Sequence, residues 1–290
     1  MCEVAVVTTG FFDGVHLGHR HVIQTVVSAA RERGEEAIVV TFWPHPRMVL
    51  QQDARELRLL TSLEDKKALL AACGIDRVEV LPFDRAFARL KAVEYLQLLK
   101  ERFGASLVVM GYDNRIGSDK RSAKEIEHVL MVDEVGSGEQ QSSISSTRIR
   151  KALEQGRVKE AEAMLGYSYG LYGVVVAGNR MGRTIGFPTA NMQLYEPLKL
   201  VPGDGVYAVD VEVLGRQWSG MCNIGLKPTV GGKVRTIETH ILGFDEDIYG
   251  LPIRLHFRGR IRDEIKFPSL DALRSQLEKD RDAVKQYING

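Results

Sequence analysis

In the first half of the chain, apolar residues come in short continuous runs separated by stretches of helical spacing. Val4-Ala5-Val6-Val7-Thr8 is the first run, and it stops at Gly10. From His19 to Arg33, Val22, Ile23, Val26, Val27 and Ala30 share one helical face, with Gly34 placed as a C-terminal cap. Ala37 to Phe42, Val78 to Phe83 and Leu107 to Met110 read as further buried strands. Thr61-x-x-Glu64 has the form of a capping box opening a helix that runs to Cys73, and a longer helical stretch spans Arg85 to Phe103. Strands alternating with helices predict right-handed βαβ units and a parallel sheet covered on both faces. The fold class expected here is α/β, a doubly wound Rossmann-like domain.

The period changes further along. Gly136 to Ser143 is polar and rich in Gly, Ser and Gln, a loop composition, and two helical stretches follow over Ser146 to Gln155 and Arg157 to Leu165. After Gly166, Val174 to Val176, Val206 to Leu214, Thr236 to Leu242 and Ile253 to Phe257 are strand candidates parted by Gly, Asn and Pro. Strands with turn signals and no crossover helices predict an antiparallel barrel. The closing stretch from Ser269 to Tyr287 is amphipathic through Leu270, Leu273, Leu277 and Val284, and is expected to pack on that barrel. Two domains are expected, 1–165 and 166–290.

A chain of 290 residues is long enough for two domains. Its 39 Lys plus Arg nearly cancel 38 Asp plus Glu, so no basic field points to nucleic acid. Cys2, Cys73 and Cys222 are odd in number and scattered, which argues for a reducing compartment and against a disulfide framework or a cysteine zinc site. No apolar run approaches the ~18 residues of a membrane span, and the N-terminus lacks a signal-peptide layout. The expectation is a cytoplasmic protein, a monomer or weak homo-oligomer, with small-molecule substrates and neither nucleic acid nor membrane as partner.

The chemistry gathers at strand ends. Gly10-Phe11-Phe12-Asp13-Gly14-Val15-His16-Leu17-Gly18-His19 joins the first strand to the first helix, where doubly wound sheets bind ligands. Gly14 and Gly18 admit a phosphate close to the backbone, and the helix start offers free N–H groups. Two imidazoles three residues apart could stabilise charge building on a phosphate, although the spacing alone favours a structural turn with one histidine capping the helix. Pro44-His45-Pro46 stiffens the loop after the second strand, and Ser145-Ser146-Thr147-Arg148-Ile149-Arg150 puts hydroxyls and arginines at a helix start. An anion there would explain arginines set against their own helix dipole.

In the second half, Gly182-Arg183-Thr184-Ile185-Gly186-Phe187-Pro188-Thr189-Ala190-Asn191 is a glycine-rich turn whose Thr189 and Asn191 are oxygen ligands suited to Mg²⁺ beside nucleotide phosphates. Alternation in Thr236-Ile237-Glu238-Thr239-His240 puts Thr236, Glu238 and His240 on one face. Glu238 is either a base for an attacking alcohol or part of an ordinary exposed face.

These segments, together with Thr-Phe-Trp-Pro-His-Pro, Leu-Pro-Phe-Asp, Gly205-Val-Tyr-Ala, Asn223-Ile-Gly-x-x-Pro-Thr and Ile261-Arg-x-Glu264-x-Lys-Phe267, resemble bacterial bifunctional riboflavin kinase/FMN adenylyltransferases, also called FAD synthetases. The resemblance implies a nucleotidyltransferase domain followed by a six-stranded riboflavin kinase barrel. It implies that riboflavin is phosphorylated to FMN in the barrel and FMN adenylylated to FAD in the first domain, with ATP as donor and Mg²⁺ as cofactor. His16 and His19 would act on the ATP phosphates, with Gly10, Phe12, Asp13, Gly14, Gly18, His45, Asp113, Ser146, Thr147 and Arg150 in the ATP and FMN site. Glu238 would be the base of the kinase, Thr189 and Asn191 would hold the metal, and Gly182, Arg183, Gly186, Phe187, Pro188 and Asn223 would line the ATP and flavin site. Asn114 and Ile116 stand where the family usually carries aromatics, and 117–145 is short, which leaves a riboflavin kinase with an impaired first site as the alternative.

Overall fold

The computed structural model describes residues 4–50, 57–111, 114–127, 130–135, 144–178, 181–229 and 232–289. The chain separates into two compact units, Met1–Ser146 and Thr147–Gly290.

The first unit runs β1 (Ala5–Thr9), α1 (Leu17–Arg33), β2 (Glu36–Trp43), α2 (Pro46–Leu50), α3 (Leu63–Ala71), β3 (Arg77–Pro82), α4 (Ala92–Phe103), β4 (Ala105–Gly111), α5 (Ala123–Ile126) and β5 (Met131–Val135). Its five strands are parallel in the order β3-β2-β1-β4-β5. Alternate strand residues feed two cores. Val7, Ile38, Val40, Val108 and Met110 meet Leu96, Leu99 and Phe103 of α4, while Val6, Val39 and Val109 meet Ile23, Val26 and Ala30 of α1. Each fully buried Val, Leu, Ile, Phe or Met among them contributes roughly 1.5–3 kcal/mol. The strand order reverses between β1 and β4, so the crevice at the carboxyl ends of these two strands is the topological switch point.

Local details depart from the expected pattern. α1 begins at Leu17 with His16 as its N-cap, and Gly34 closes it in a left-handed conformation. Ser62, not Thr61, caps α3, accepting from the Asp65 N–H at 3.0 Å, because the Thr61 hydroxyl is engaged elsewhere. The stretch from Arg85 breaks into a 3₁₀ turn, Phe87–Arg89, before α4. β5 was not anticipated, since Met131-Val-Asp-Glu-Val is largely exposed and carries two carboxylates. The loop expected over Gly136 to Ser143 lies outside the described residues.

The second unit contains α6 (Ser146–Glu154, its first residue belonging to the first unit), α7 (Val158–Leu165), β6 (Gly170–Val176), α8 (Met181–Thr184), β7 (Ala190–Leu194), β8 (Gly205–Val213), β9 (Arg216–Thr229), β10 (Gly232–Ile241), β11 (Pro252–Arg262) and α9 (Leu270–Asn289). The six strands close into a barrel in the order β10-β7-β6-β11-β8-β9, all pairs antiparallel. α9 packs on it with Leu277 and Val284 against Val206, Ala208 and Met221, while Leu270, expected on the same face, is exposed. The structural division falls near residue 146, where a boundary at 165/166 was expected. The reason is local: Gly203 donates its N–H to the Leu153 carbonyl at 2.8 Å, and α7 lies against β11. Both helices therefore belong with the barrel.

Candidate functional site

β1 ends at Thr9 and α1 starts at Leu17, so residues 10–16 form the turn at the switch point. The turn passes through left-handed backbone at Phe12 (φ 53°), Gly14 (φ 84°) and Val15 (φ 38°). Such a conformation costs a non-glycine residue of order 1–3 kcal/mol and persists only where the surroundings over-determine it. Here the residues leading into α3 do so. The Asp13 carboxylate accepts from the N–H groups of Leu60 (3.0 Å) and Thr61 (3.1 Å) and from the Thr61 hydroxyl (3.2 Å). Gly14 donates its N–H to the Thr61 hydroxyl at 3.1 Å. The Lys66 ammonium donates to the Phe11 carbonyl (2.9 Å) and to the Thr41 hydroxyl (3.1 Å).

His16 accepts the His19 N–H on Nδ1 at 3.3 Å, and the two rings stack with centroids 3.6 Å apart and planes 17° off parallel. Gly18 leaves room for this, because a β-carbon there would lie 3.3 Å from the His16 ring. Burial holds His19 well below the usual imidazole pKa, and the charges of His16 and Lys66 push the same way. His19 Nδ1 is shut off from solvent with no hydrogen-bond partner among the described residues. With its proton on Nε2, a neutral His19 leaves a lone pair on the shut-off Nδ1, which the nearby Lys66 charge tolerates better than an unpaired N–H. His16 reaches the same tautomer because its Nδ1 is an acceptor. His45, after β2, accepts from the Arg47 N–H at 3.0 Å and sets its ring 4.1 Å from that of Phe11.

The turn thus gathers His16, His19 and His45, with Gly10, Gly14 and Gly18 in its backbone. Ser146 reaches it too, donating to the Asp13 carbonyl at 3.0 Å. Two expected ligand contacts instead hold the fold: the Phe12 ring is buried in the α1 core, and the Asp13 carboxylate faces Leu60 and Thr61. Thr147 and Arg150 fall in the second unit, and Asp113 lies outside the described residues. Asn114 donates to the Thr9 carbonyl at 3.3 Å, and Ile116 is buried in the α4 core, so both departures from the family pattern have structural partners. From sequence Thr61 was read only as a helix cap, and Lys66 was not singled out.

In the barrel, antiparallel register puts Glu238 of β10 opposite Asn191 of β7 on one side and Asn223 of β9 on the other. Cross-strand partners share a face, with Cβ atoms about 5 Å apart. This rung lines a cavity of about 340 Å³ with Thr189, Gly182 and His240, while Ile185, Phe187, Met221, Phe267, Leu273 and Leu277 supply apolar wall. Thr236, expected on the same face, does not line it. Gly182 permits the fold of the turn, since a β-carbon there would lie 2.1 Å from the Phe187 carbonyl oxygen. His240 donates from Nδ1 to the Pro188 carbonyl at 2.8 Å. Burial lowers its pKa, a bond to that carbonyl opposes the shift, and the Arg281 charge adds to it. Arg262 and Glu264 also line the cavity, and Arg262 is held in a two-pronged pair with Asp280 of α9 at 2.7–3.0 Å.

A second cavity, about 420 Å³, lies on the other side of Thr189 and is lined by Arg183, Pro188, Phe244, Asp245, Glu246, Asp247 and Tyr249. Arg183 sits over the Tyr249 ring at 5.9 Å. Gly186, exposed at φ 82°, makes the turn between α8 and Phe187. Thr189 is common to both cavities. Thr189 and Asn191 offer neutral oxygens, and among the described residues no group of three or more His, Cys, Asp or Glu could hold a metal by itself. That donor set fits Mg²⁺ brought in with nucleotide phosphates, which keeps most of its ligands from waters and phosphate.

Residues 165–288 match the family model described as riboflavin kinase, and residues 2–148 match that described as FAD synthetase. The bifunctional riboflavin kinase/FMN adenylyltransferase of Bacillus subtilis (strain 168) is 38% identical over 98% of this chain and 93% of its own length. The Escherichia coli (strain K12) protein of the same name is 36% identical over 99% and 93%. A solved structure described as the macrolide-efflux protein of Streptococcus pneumoniae superposes with a TM-score of 0.92 at 34% identity, covering 98% of this chain and 95% of that one. No helix among the described residues here is long and apolar enough to cross a membrane.

Proposed function

The chain belongs to the family of bifunctional riboflavin kinase/FMN adenylyltransferases, and on that premise we propose which of its residues carry each reaction. The enzyme phosphorylates riboflavin to FMN and adenylylates FMN to FAD, with ATP as donor in both steps.

For the kinase, the flavin ring occupies the 340 Å³ cavity, whose apolar walls suit it, and ATP occupies the adjoining cavity beside Arg183 and Tyr249. The two substrates meet at Thr189. Glu238 accepts the proton of the terminal ribityl hydroxyl as that oxygen attacks the γ-phosphorus, and the bond to the ADP oxygen breaks. Asn191 and Asn223, on either side of the carboxylate, orient the hydroxyl and the phosphate. Thr189 and Asn191 would hold Mg²⁺, which when bound neutralises phosphate charge. Transfer of this kind rests mainly on positioning and charge neutralisation. The observation that carries this assignment is the Asn191–Glu238–Asn223 rung on the cavity wall.

For the transferase, a phosphate oxygen of FMN attacks the α-phosphorus of a second ATP, and pyrophosphate leaves. The Nε2–H groups of His16 and His19 donate to the phosphate oxygens as charge builds on them, aided by the N-terminal dipole of α1. His45 joins them from the end of β2, and no covalent intermediate is needed. The site is taken to act in the cytoplasm on free small molecules, in a monomer or weak homo-oligomer without nucleic acid. The near-zero net charge supports the last point.

The test separates products by chromatography after incubation with ATP and Mg²⁺, starting from riboflavin or from FMN. Glu238→Gln should lower FMN formation by about 10²–10⁴-fold while FAD still forms from supplied FMN. His16→Ala should do the reverse. Damage of both steps by either change, with the fold intact, would show that the two-site division is wrong.

A further inference from the structure

We propose that Lys66 is a positioning residue for adenylyl transfer, holding the turn between β1 and α1 in the shape that presents its histidines. The proposal rests on the assignment of that turn to the FMN-adenylylating site. A lysine on a short helix ordinarily lays its stem on the surface and keeps its ammonium in water. Lys67, the next residue, does this, with 44% of its side chain exposed. Lys66 is only 1% exposed. Burying an ammonium is costly unless its N–H groups find partners, and here they do. One bond goes to the Phe11 carbonyl at 2.9 Å, another to the Thr41 hydroxyl at 3.1 Å, and the nitrogen stands 3.7 Å above the Phe11 ring centre. Thr41 passes the contact on, donating to the same carbonyl at 3.2 Å.

Those contacts fall where the turn needs them. The Phe11 carbonyl is the last backbone group before Phe12 enters left-handed space, and the Phe11 ring carries His45 against its edge. Asp13 and Thr61 clamp the middle of the turn, and Lys66 clamps its start. The charged and titratable groups facing the ammonium are Asp13 from the turn and His19 from α1.

Burial lowers the Lys66 pKa to about 8, against the attraction of Asp13. His19 titrates well below this range. Between about pH 8 and the ordinary lysine value near 10.4 the folded protein sheds a proton that the unfolded chain retains, so this group adds stability as pH rises. Deprotonation of Lys66 in that window therefore does not itself destabilise the fold.

The experiment measures kcat and KM for FMN adenylylation against pH in the full-length protein, its Lys66→Met variant and its Lys66→Arg variant, with riboflavin phosphorylation assayed on the same samples. A misplacement of about 1 Å costs on the order of 10²-fold, so Lys66→Met should lower the adenylylation kcat at least about tenfold, with kinase activity within about twofold of wild type. Wild type should show a falling limb near pH 8, and Lys66→Arg should recover rate and shift that limb upward. Lys66→Met within about twofold of wild type overturns the proposal, as does a wild-type rate flat from about pH 7 to about pH 9.5, or a parallel loss of kinase activity. FAD formation by wild type, retained by the variants with an unchanged profile, sinks the role of Lys66 alone. No FAD from wild type sinks the site assignment beneath it.

Discussion

Gly178 has no side chain where Asn191 needs room: a β-carbon there would lie 2.2 Å from the Asn191 amide nitrogen. Gly178→Ala must therefore push Asn191 off the rung it shares with Glu238. FMN formation should fall by at least about tenfold, as expected when a positioning group moves by a fraction of an ångström or more, while FAD formation from FMN is unchanged. A kinase rate within twofold of wild type would show that Asn191 can move without cost. His19 makes a separate prediction at this scale. Its folded pKa is depressed, so below about pH 6.5 the unfolded chain takes up a proton that the native imidazole refuses. The first unit should lose stability as pH falls through that range, and His19→Gln should flatten the dependence in denaturant titrations read on that unit. The histidines were legible in sequence because glycines flank them at a strand-to-helix junction. Lys66 was not, because nothing in the spacing of Lys66 and Lys67 tells which of two adjacent lysines turns inward. Asp13 illustrates the converse case, a motif residue whose carboxylate supports the turn through Leu60 and Thr61.

Among the elements, α9 depends on one ionic contact more than its amphipathic pattern suggested. Asp280 is 1% exposed and holds Arg262 of β11 by two prongs, with Gln276 donating to the same carboxylate at 2.9 Å. Removing one partner of such a buried pair costs about 3–5 kcal/mol because the other is left uncompensated. Asp280→Ala should lower barrel stability by that order in urea unfolding followed by Trp218 emission, and it should weaken riboflavin binding, since Arg262, Leu273 and Leu277 line the cavity proposed for the flavin. An unchanged midpoint would mean that the apolar face of α9 suffices. Elements with continuous apolar runs, β1, β2 and β4, were readable from sequence for the same reason that they are buried on both faces, whereas β3, at the sheet edge, is mostly half-buried. β7 and β9 escaped the alternation because Asn191, Asn223 and Gly225 interrupt it. Two of those three residues stand on the rung proposed to carry the kinase reaction, and their polar side chains break the apolar alternation there. β5 was missed for the opposite reason, a largely exposed strand with little apolar content to detect.

At the scale of the whole molecule, both architectures followed from the change of period, while the compact units divide at Ser146/Thr147, ahead of the expected 165/166. α6 and α7 look like the end of an α/β domain by spacing, and only packing assigns them to the barrel. Val158, Ala161 and Leu165 of α7 are buried, and a β-carbon on Gly203 would lie 2.4 Å from the Glu154 carbonyl oxygen. A fragment covering 144–290 should therefore fold and phosphorylate riboflavin, whereas one covering 166–290 should melt lower by roughly 10 °C or more, having lost several buried aliphatic side chains. Equal melting temperatures would return the boundary to 165/166. The closed barrel carries one more consequence, which concerns descent. Around a closed hoop each strand's register is fixed by both neighbours, and a slip of one residue exchanges its two faces. One residue inserted in β10 ahead of Glu238 would bring Ile237, now buried beside Ile224, to the cavity wall and turn the carboxylate inward. The Asn191–Glu238–Asn223 rung tolerates substitution but not insertion or deletion within its strands. Length changes in the barrel are therefore expected in connections such as 195–204 and 243–251 rather than within β7, β9 or β10, and an alignment of relatives with a gap inside one of those strands would contradict this.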